Sequence, residues 1–273
     1  MKPVLSIIIV NFNTKDLLKK CLESIKLSFD YEIIVVDNAS NDDSLQSINS
    51  LELKNLKIIN NKTNLGFAKA VNQGIRQSQG EFILLLNSDI VVKPKAIEKM
   101  IDFAKNNLSA GVVGGRLLNP DGSIQGSCFY LPTLGRAAQE FWLGKNEKSI
   151  VRKYAPVGNK LSEVEAVVGA VFLIPRKILQ KVGFFDERYF IYFEDLDYCR
   201  RVRRNGFKVY YLPTTEFIHA HGASGKSISE KTQKWLVESS QIYHGKFKYF
   251  LISFFIKTGQ KCRKILGNSS SLV

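Results

Sequence analysis

The chain opens on a run, Val4 to Val10, that is aliphatic except at Ser6 and of the kind that forms a strand buried on both faces. Lys15 to Ser28 then changes period. Its apolar residues Leu17, Leu18, Cys21, Leu22 and Ile25 fall at helical spacing. Glu32 to Val36 is a second buried strand. Asn41 to Leu51 reads as a helix, Leu56 to Asn60 as a short strand and Gly66 to Gln77 as a helix started by Asn64-Leu65-Gly66. Glu81 to Leu86 is a strand that stops at Asn87, and Lys95 to Asn106 is again helical. Strands alternating with helices over the first hundred residues predict an α/β, Rossmann-like fold with a mostly parallel sheet and helices on both faces. Ligands of such sheets lie at the carboxyl ends of the strands, where Asn11, Asp37 and Asp89 fall.

The pattern changes after residue 115. Arg116-Leu117-Leu118 and Ser123-Ile124-Gln125 flank Asn119-Pro120-Asp121-Gly122, which predicts a hairpin and hence a small added antiparallel element. Gly135 to Leu161 reads as an irregular, variable loop region. Val164 to Ile174 reads as one strand, Arg176 to Lys181 as a helix, Asp195 to Asn205 as a helix and Lys208 to Leu212 as a strand. From Lys226 the character shifts to nine Lys or Arg against two Glu, with an aromatic and aliphatic stretch from Phe247 to Ile256. The division expected is a catalytic domain over 1–225 and a basic, amphipathic helical tail over 226–273. That tail either lies on an anionic membrane surface or packs on the domain with its lysines in water.

Composition adds a partner class. The 273 residues carry 39 Lys and Arg against 25 Asp and Glu, a net charge of +14, which points to an anionic partner. Four scattered cysteines, Cys21, Cys128, Cys199 and Cys262, suit a reducing cytosol better than a disulfide framework or a zinc site. The first residues do not read as a secretory signal. No apolar run reaches the roughly 20 residues of a spanning helix. The expected location is therefore cytoplasmic, with peripheral attachment to the inner face of the cell membrane.

The densest candidate chemistry is the stretch from Tyr189 to Asp197, an almost wholly aromatic run followed by Glu194, Asp195 and Asp197. Carboxyl groups in such surroundings lose hydration, and their pKa rises toward the range of a general base working near neutral pH. Asn87-Ser88-Asp89 upstream and His219 downstream each end a strand-like run. Together they suggest an enzyme handling a metal-bound phosphate.

These segments, in order, resemble the family 2 glycosyltransferases. The resemblance rests on Ser6–Asn13, Val35–Ser40, Asn64–Gly74, Leu84–Asp89, Gly169–Arg176, Gly183–Glu187, the acidic cluster through Arg200, and Ile218 to Ser224. It covers about residues 4 to 225 and is strongest toward rhamnosyltransferases of bacterial surface polysaccharides. It implies a GT-A fold, a dTDP- or UDP-sugar donor, a divalent cation (Mg²⁺ or Mn²⁺), inversion at the anomeric carbon and a saccharide acceptor, polyprenyl-diphosphate-linked in many such pathways.

The resemblance also implies residue roles. Asp37 would accept the imide N–H of the base, although an acid there also suits a turn, and Asn11 would line the same pocket. Asn64, Lys69 and Asn72 would meet the donor diphosphate at a helix start. Asp89 would ligate the metal. Asn87 stands where the family usually has an aspartate, leaving one negative charge fewer. Asp195 would be the base, Glu194 its orienting partner or an acceptor contact, and Asp197 a supporting acid of the acceptor or sugar pocket. His219 would complete the metal shell or touch the diphosphate, a role that His221, on the same face of a strand, could equally fill. Gly169 and Ala170 would let acceptor or sugar approach the backbone.

Two other functions remain open at this level. A nucleotidyltransferase could share the sheet, but Val10-Asn11-Phe12-Asn13-Thr14 lacks the Gly-rich, Arg-bearing first loop such enzymes use. A basic nucleic-acid-binding module fits the charge, but the aromatics lie in apolar runs instead of alternating with basic residues, so no nucleic acid is expected.

Overall fold

In the computed structural model, residues 2–51, 53, 55–143, 149–150, 152–220 and 230–265 are described. Four parallel strands, β1 (Leu5–Asn11), β2 (Tyr31–Asp37), β3 (Leu56–Asn60) and β4 (Phe82–Leu86), form half of the main sheet in the order β3-β2-β1-β4. The sheet continues through β11 (Val171–Pro175), β6 (Ala110–Leu118), β12 (Lys208–His219) and β5 (Ile90–Val92). β11 runs antiparallel to both neighbours and β5 antiparallel to β12. The expected mostly parallel sheet is present.

The aliphatic runs are explained by two-sided burial. On β1, Ile7 and Ile9 enter one core and Ile8 the other; on β4, Leu84 and Leu86 face one way, Ile83 and Leu85 the other. Helices α1 (Lys15–Ser24) and α4 (Ala96–Asn106) supply Leu18, Leu22, Ile97 and Met100 to the first core. Helices α3 (Phe67–Gln77), α6 (Arg176–Val182) and α7 (Glu194–Arg204) supply Val71, Ile75, Ile178 and Val202 to the second. Each such side chain contributes about 1.5–3 kcal/mol on burial. A polar residue at Ile8 would therefore damage the sheet and α3 together.

Several boundaries differ from the sequence reading. The helix expected over Asn41–Leu51 shortens to α2 (Ser44–Asn49). The hairpin forms, with β7 (Ile124–Gln125) pairing β6 through Leu117 and Leu118. The stretch 164–174 is not one strand. β9 (Ser162–Val164) pairs β12 and β10 (Ala166–Val167) pairs β8 (Cys128–Phe129), ahead of β11. Glycine at 169 interrupts the run, and the chain changes sheet there. Gly135 to Leu161 is not wholly irregular either. α5 (Leu134–Phe141) is capped by Thr133, whose hydroxyl accepts from the Arg136 amide. The strand expected to end at Leu212 continues to His219 across an irregularity in its pairing.

The basic tail folds into α8 (Glu230–His244) and α9 (Lys246–Ile265), while the expected boundary near 225 lies outside the described residues. α8 packs on the domain. Trp235 stacks on Phe190 with ring centroids 4.6 Å apart, and Ser239 Oγ donates to the Ile191 carbonyl at 2.8 Å. α9 lies against α5, where Trp142 Nε1 donates to the Phe255 carbonyl at 3.1 Å. Phe247, Phe250 and Phe254 nevertheless face outward. Among the described residues no helix is long and apolar enough to cross a membrane.

Candidate active site

At the carboxyl end of β4 the chain leaves the sheet through Asn87, Ser88 and Asp89 before turning into β5. Because β5 pairs antiparallel with the end of β12, Ile90 lies opposite His219. Asp89 Oδ1 consequently stands 3.4 Å from His219 Nε2, both side chains nearly buried. His219 Nδ1 lies 2.5 Å from Gln125 Oε1, and Gln125 Nε2 donates to Asn119 Oδ1 at 2.9 Å. That second bond fixes the amide so that its oxygen faces the imidazole. The ring therefore donates from Nδ1, and Nε2 presents a lone pair toward a carboxylate. Nε2 and the Asp89 oxygen face each other, and a hard oxygen beside an imidazole nitrogen is a donor pair that suits Mn²⁺ or Mg²⁺. His221, the alternative ligand, lies outside the described residues.

The acidic cluster faces the same region. Two consecutive residues with left-handed backbone, Tyr192 at φ 69° and Phe193 at φ 66°, turn the aromatic run into α7. Such strain in non-glycine residues persists only where surrounding packing holds it. Here α8 supplies it, with Tyr243 against Phe193. Asp195 Oδ2 accepts the Gly169 amide at 3.0 Å and Oδ1 accepts the Leu196 amide at 2.8 Å. Its pKa is raised chiefly by burial, while those amides and the charge of Lys153 pull the other way. Glu194 is buried, one carboxyl oxygen lacks any partner, and its pKa is raised by burial first and by Asp195 second. Both carboxyl groups are thus held above their ordinary values, chiefly by burial.

Gly169 and Ala170 link the two halves of the site. Gly169 donates to Asp195, and the next carbonyl, that of Ala170, accepts the Asn87 amide at 3.0 Å. A Cβ at Gly169 would sit 3.6 Å from the Asp195 Cβ, so glycine keeps the space beside the base open. Asn87 makes no side-chain hydrogen bond among the described residues and is half-buried at the strand end.

Other predicted residues are placed differently. Asp37 is fully buried, and its oxygens accept from Asn11 Nδ2 and the Ser40 amide, each at 2.8 Å. Asn11 is itself bonded through Oδ1 to Thr14, whose hydroxyl also reaches Ser88. This network ties the ends of β1 and β2 to the Asn87–Asp89 loop. Asn64 Oδ1 accepts from the Gly66 amide and from Asn38 Nδ2, bracing the loop. Gly66 has φ +85°, and a Cβ there would come within 2.6 Å of the Phe190 carbonyl, which accepts the Phe67 amide. Lys69 is exposed at the start of α3 and open to a ligand.

Two placements revise the sequence reading. Asn72 does not share an open face with Lys69. Its amide is spent on the Phe185 backbone and on Glu187 Oε1, stapling α3 to that segment. Asp197 does not open into a pocket, because it is buried in ion pairs with Arg200 at 2.6 Å and Arg201 at 2.8 Å. Both are positioning residues. Sequence reading also missed Gln125, whose only signal was its place just after the hairpin turn, and Lys153, which had none.

Known proteins bear on this geometry. The model of "Glycosyl transferase family 2" matches residues 6–183. The N-acetylglucosaminyl-diphospho-decaprenol L-rhamnosyltransferase of Mycobacterium tuberculosis is 28% identical over 236 residues, covering 80% of this chain and 76% of that protein. The rhamnosyltransferase WbbL of Escherichia coli is 27% identical over 248 residues, covering 87% and 91%. Among solved structures, the mannosyltransferase PcManGT of Pyrobaculum calidifontis, in complex with GDP-Man and Mn²⁺, superposes with a TM-score of 0.63 at 15% identity, over 100% of this chain and 77% of that one. GalNAc-T7 with UDP, GalNAc and Mn²⁺ gives 0.66 at 14% identity over 90% of this chain, which spans about half (49%) of that longer one. The fold is that of the GT-A glycosyltransferases, and the nucleotidyltransferase and nucleic-acid-binding alternatives fall away. The chain belongs to glycosyl transferase family 2 and is rhamnosyltransferase-like within it.

Proposed function

We propose that this protein transfers a hexose or deoxyhexose, rhamnose in the reading its relatives favour, from a dTDP- or UDP-sugar to a lipid-linked saccharide of a cell-surface glycan, with inversion. The observation that carries this is the link through Gly169 and Ala170. It joins the wall holding Asp195 to the loop that leads from Asn87 to Asp89 and His219.

In this mechanism Asp89 and His219 would hold Mn²⁺ or Mg²⁺, which would neutralise the diphosphate of the leaving nucleotide when bound. No group of three or more His, Cys, Asp or Glu side chains able to hold a metal occurs among the described residues. Gln125 holds the His219 ring in orientation. Asn87 offers a neutral amide to the same donor, and Lys69 a cation to its phosphates. Asn11 and Asp37 shape the base pocket from beneath, and Asn64 holds the glycine loop. Asp195 removes the acceptor hydroxyl proton as that oxygen attacks the anomeric carbon from the face opposite the leaving group. Its raised pKa makes it a stronger base than a solvated carboxylate, and such catalysis is worth about 10²–10⁴-fold. Glu194 stays neutral beside it. Gly169 leaves room for the acceptor ring.

The location proposed is the cytoplasmic face of the membrane, held peripherally by the outward aromatics and lysines of α9. Thermal stability measured against a panel of nucleotide-sugars, with and without Mn²⁺, tests the donor assignment. The matching donor at about 100 times its Kd adds about 2.7 kcal/mol. The anomeric configuration of the product tests inversion. No stabilisation by any nucleotide-sugar, or a retained configuration, would overturn the reading.

A further inference from the structure

α7 carries Asp195 at its start and, one and two turns further on, Arg200 and Arg204. These two line a groove of about 450 Å³ whose opposite wall is His244, Gly245 and Lys248 at the junction of α8 and α9, with Thr133 at the start of α5 closing one end. No acidic residue lines it. Arg200 is held rigidly. Its guanidinium lies 3.8 Å over the Tyr243 ring, donates to the Tyr243 carbonyl at 2.9 Å and pairs with Asp197. Arg204 and Lys248 are exposed and have no ion pair among the described residues. His244 is pushed down to about 4, by burial first and then by the charges of Arg200 and Lys248. The N-terminal turn of α5 adds its partial positive charge.

Apolar surface adjoins these cations. Phe247 and Phe250 are 77% and 64% exposed, and with Phe254 they repeat at three and four residues along one face of α9. A cationic groove bordered by outward aromatics fits a molecule that joins phosphates to an apolar chain. We infer that this groove binds the diphosphate of a polyprenyl-linked acceptor, with Arg204 and Lys248 on the phosphates and Phe247 and Phe250 against the first prenyl units. The inference rests on the lipid-linked acceptor proposed above and assigns it a place. Anionic headgroups of the bilayer share the phosphate chemistry. The convergence of Arg200, Arg204 and Lys248 on one groove favours the diphosphate.

The test uses the full chain and its Arg204→Gln/Lys248→Gln variant, without divalent cation. The probes are farnesyl diphosphate, inorganic pyrophosphate and vesicles of phosphatidylglycerol with phosphatidylcholine. Farnesyl diphosphate, losing two cations from its phosphates, should bind at least about tenfold more weakly to the variant. Its melting temperature and its stabilisation by nucleotide-sugars should be unchanged, and its vesicle binding should fall by a smaller factor than its binding of farnesyl diphosphate. A Phe247→Ser/Phe250→Ser variant should lose affinity for farnesyl diphosphate and keep that for pyrophosphate. Equal affinity of wild type and Gln variant for farnesyl diphosphate, or a loss confined to the vesicles, overturns the inference. If nucleotide-sugars stabilise both proteins in that case, the groove assignment alone fails. If no nucleotide-sugar stabilises either protein while farnesyl diphosphate binds as stated, the proposed reaction fails and the groove stands.

Discussion

The amide of Gly169 donates to Asp195 Oδ2 at 3.0 Å. With the Leu196 amide on Oδ1, it anchors the carboxylate by backbone alone, next to Ala170, whose carbonyl accepts the Asn87 amide, while burial raises its proton affinity.

Replacing Asp195 by Asn should abolish transfer, by about 10²-fold or more, and leave donor binding intact. The wild-type kcat should fall on acidification, because the base must be ionised. The acid limb should lie above the ordinary carboxylate range, since burial raises the Asp195 pKa. Steady-state rates against pH, with donor binding measured in parallel, check both points. An acid limb at the pKa of a solvated aspartate would remove the role given to burial.

Glu194→Gln should stabilise the protein in a pH-dependent way. The folded-state pKa is raised above the unfolded value, so in the wild type the carboxyl costs nothing when both states are protonated, at low pH. As pH rises past the unfolded pKa toward the raised folded one, the unfolded state releases a proton that the folded state keeps, and wild-type stability falls. The variant escapes this, so the difference should open by about 1.4 kcal/mol per pH unit across that window. Urea unfolding at several pH values measures it. A difference independent of pH would contradict it.

Gln125→Leu should weaken metal affinity by about 10–100-fold and leave kcat at saturating Mn²⁺ near wild type, because Gln125 orients His219 without touching the donor. Activity titrated with Mn²⁺ separates this from general damage, which would lower kcat at every concentration.

Gly66→Ala should destabilise by about 1–3 kcal/mol, since both its φ of +85° and the nearness of the Phe190 carbonyl disfavour a Cβ. The displaced loop should also raise the donor KM, while Gly122→Ala, whose Cβ would meet nothing within 4 Å, provides the left-handed comparison.

The sequence by itself determined the alternation of buried strands and helices, since runs such as Val4–Val10 can be satisfied only by a sheet covered on both faces. It also placed Asn11, Asp37 and Asp89 at strand ends, and put Asp195 and Glu194 after an aromatic run that would desolvate them. The pairing of Asp197 with Arg200 and Arg201 follows helical spacings of three and four, yet the sequence reading gave that acid to the acceptor pocket. What only the tertiary structure decided are contacts between distant segments. Asp89 meets His219 because β5 turns back along β12, and Gln125 reaches the imidazole from a hairpin. Asn72 is consumed by Phe185 and Glu187, and the tail braces the strained turn at Tyr192 and Phe193. Local periodicity records which face of an element is buried, but not which other element covers it. Whether a polar side chain is left for a ligand depends on that second choice.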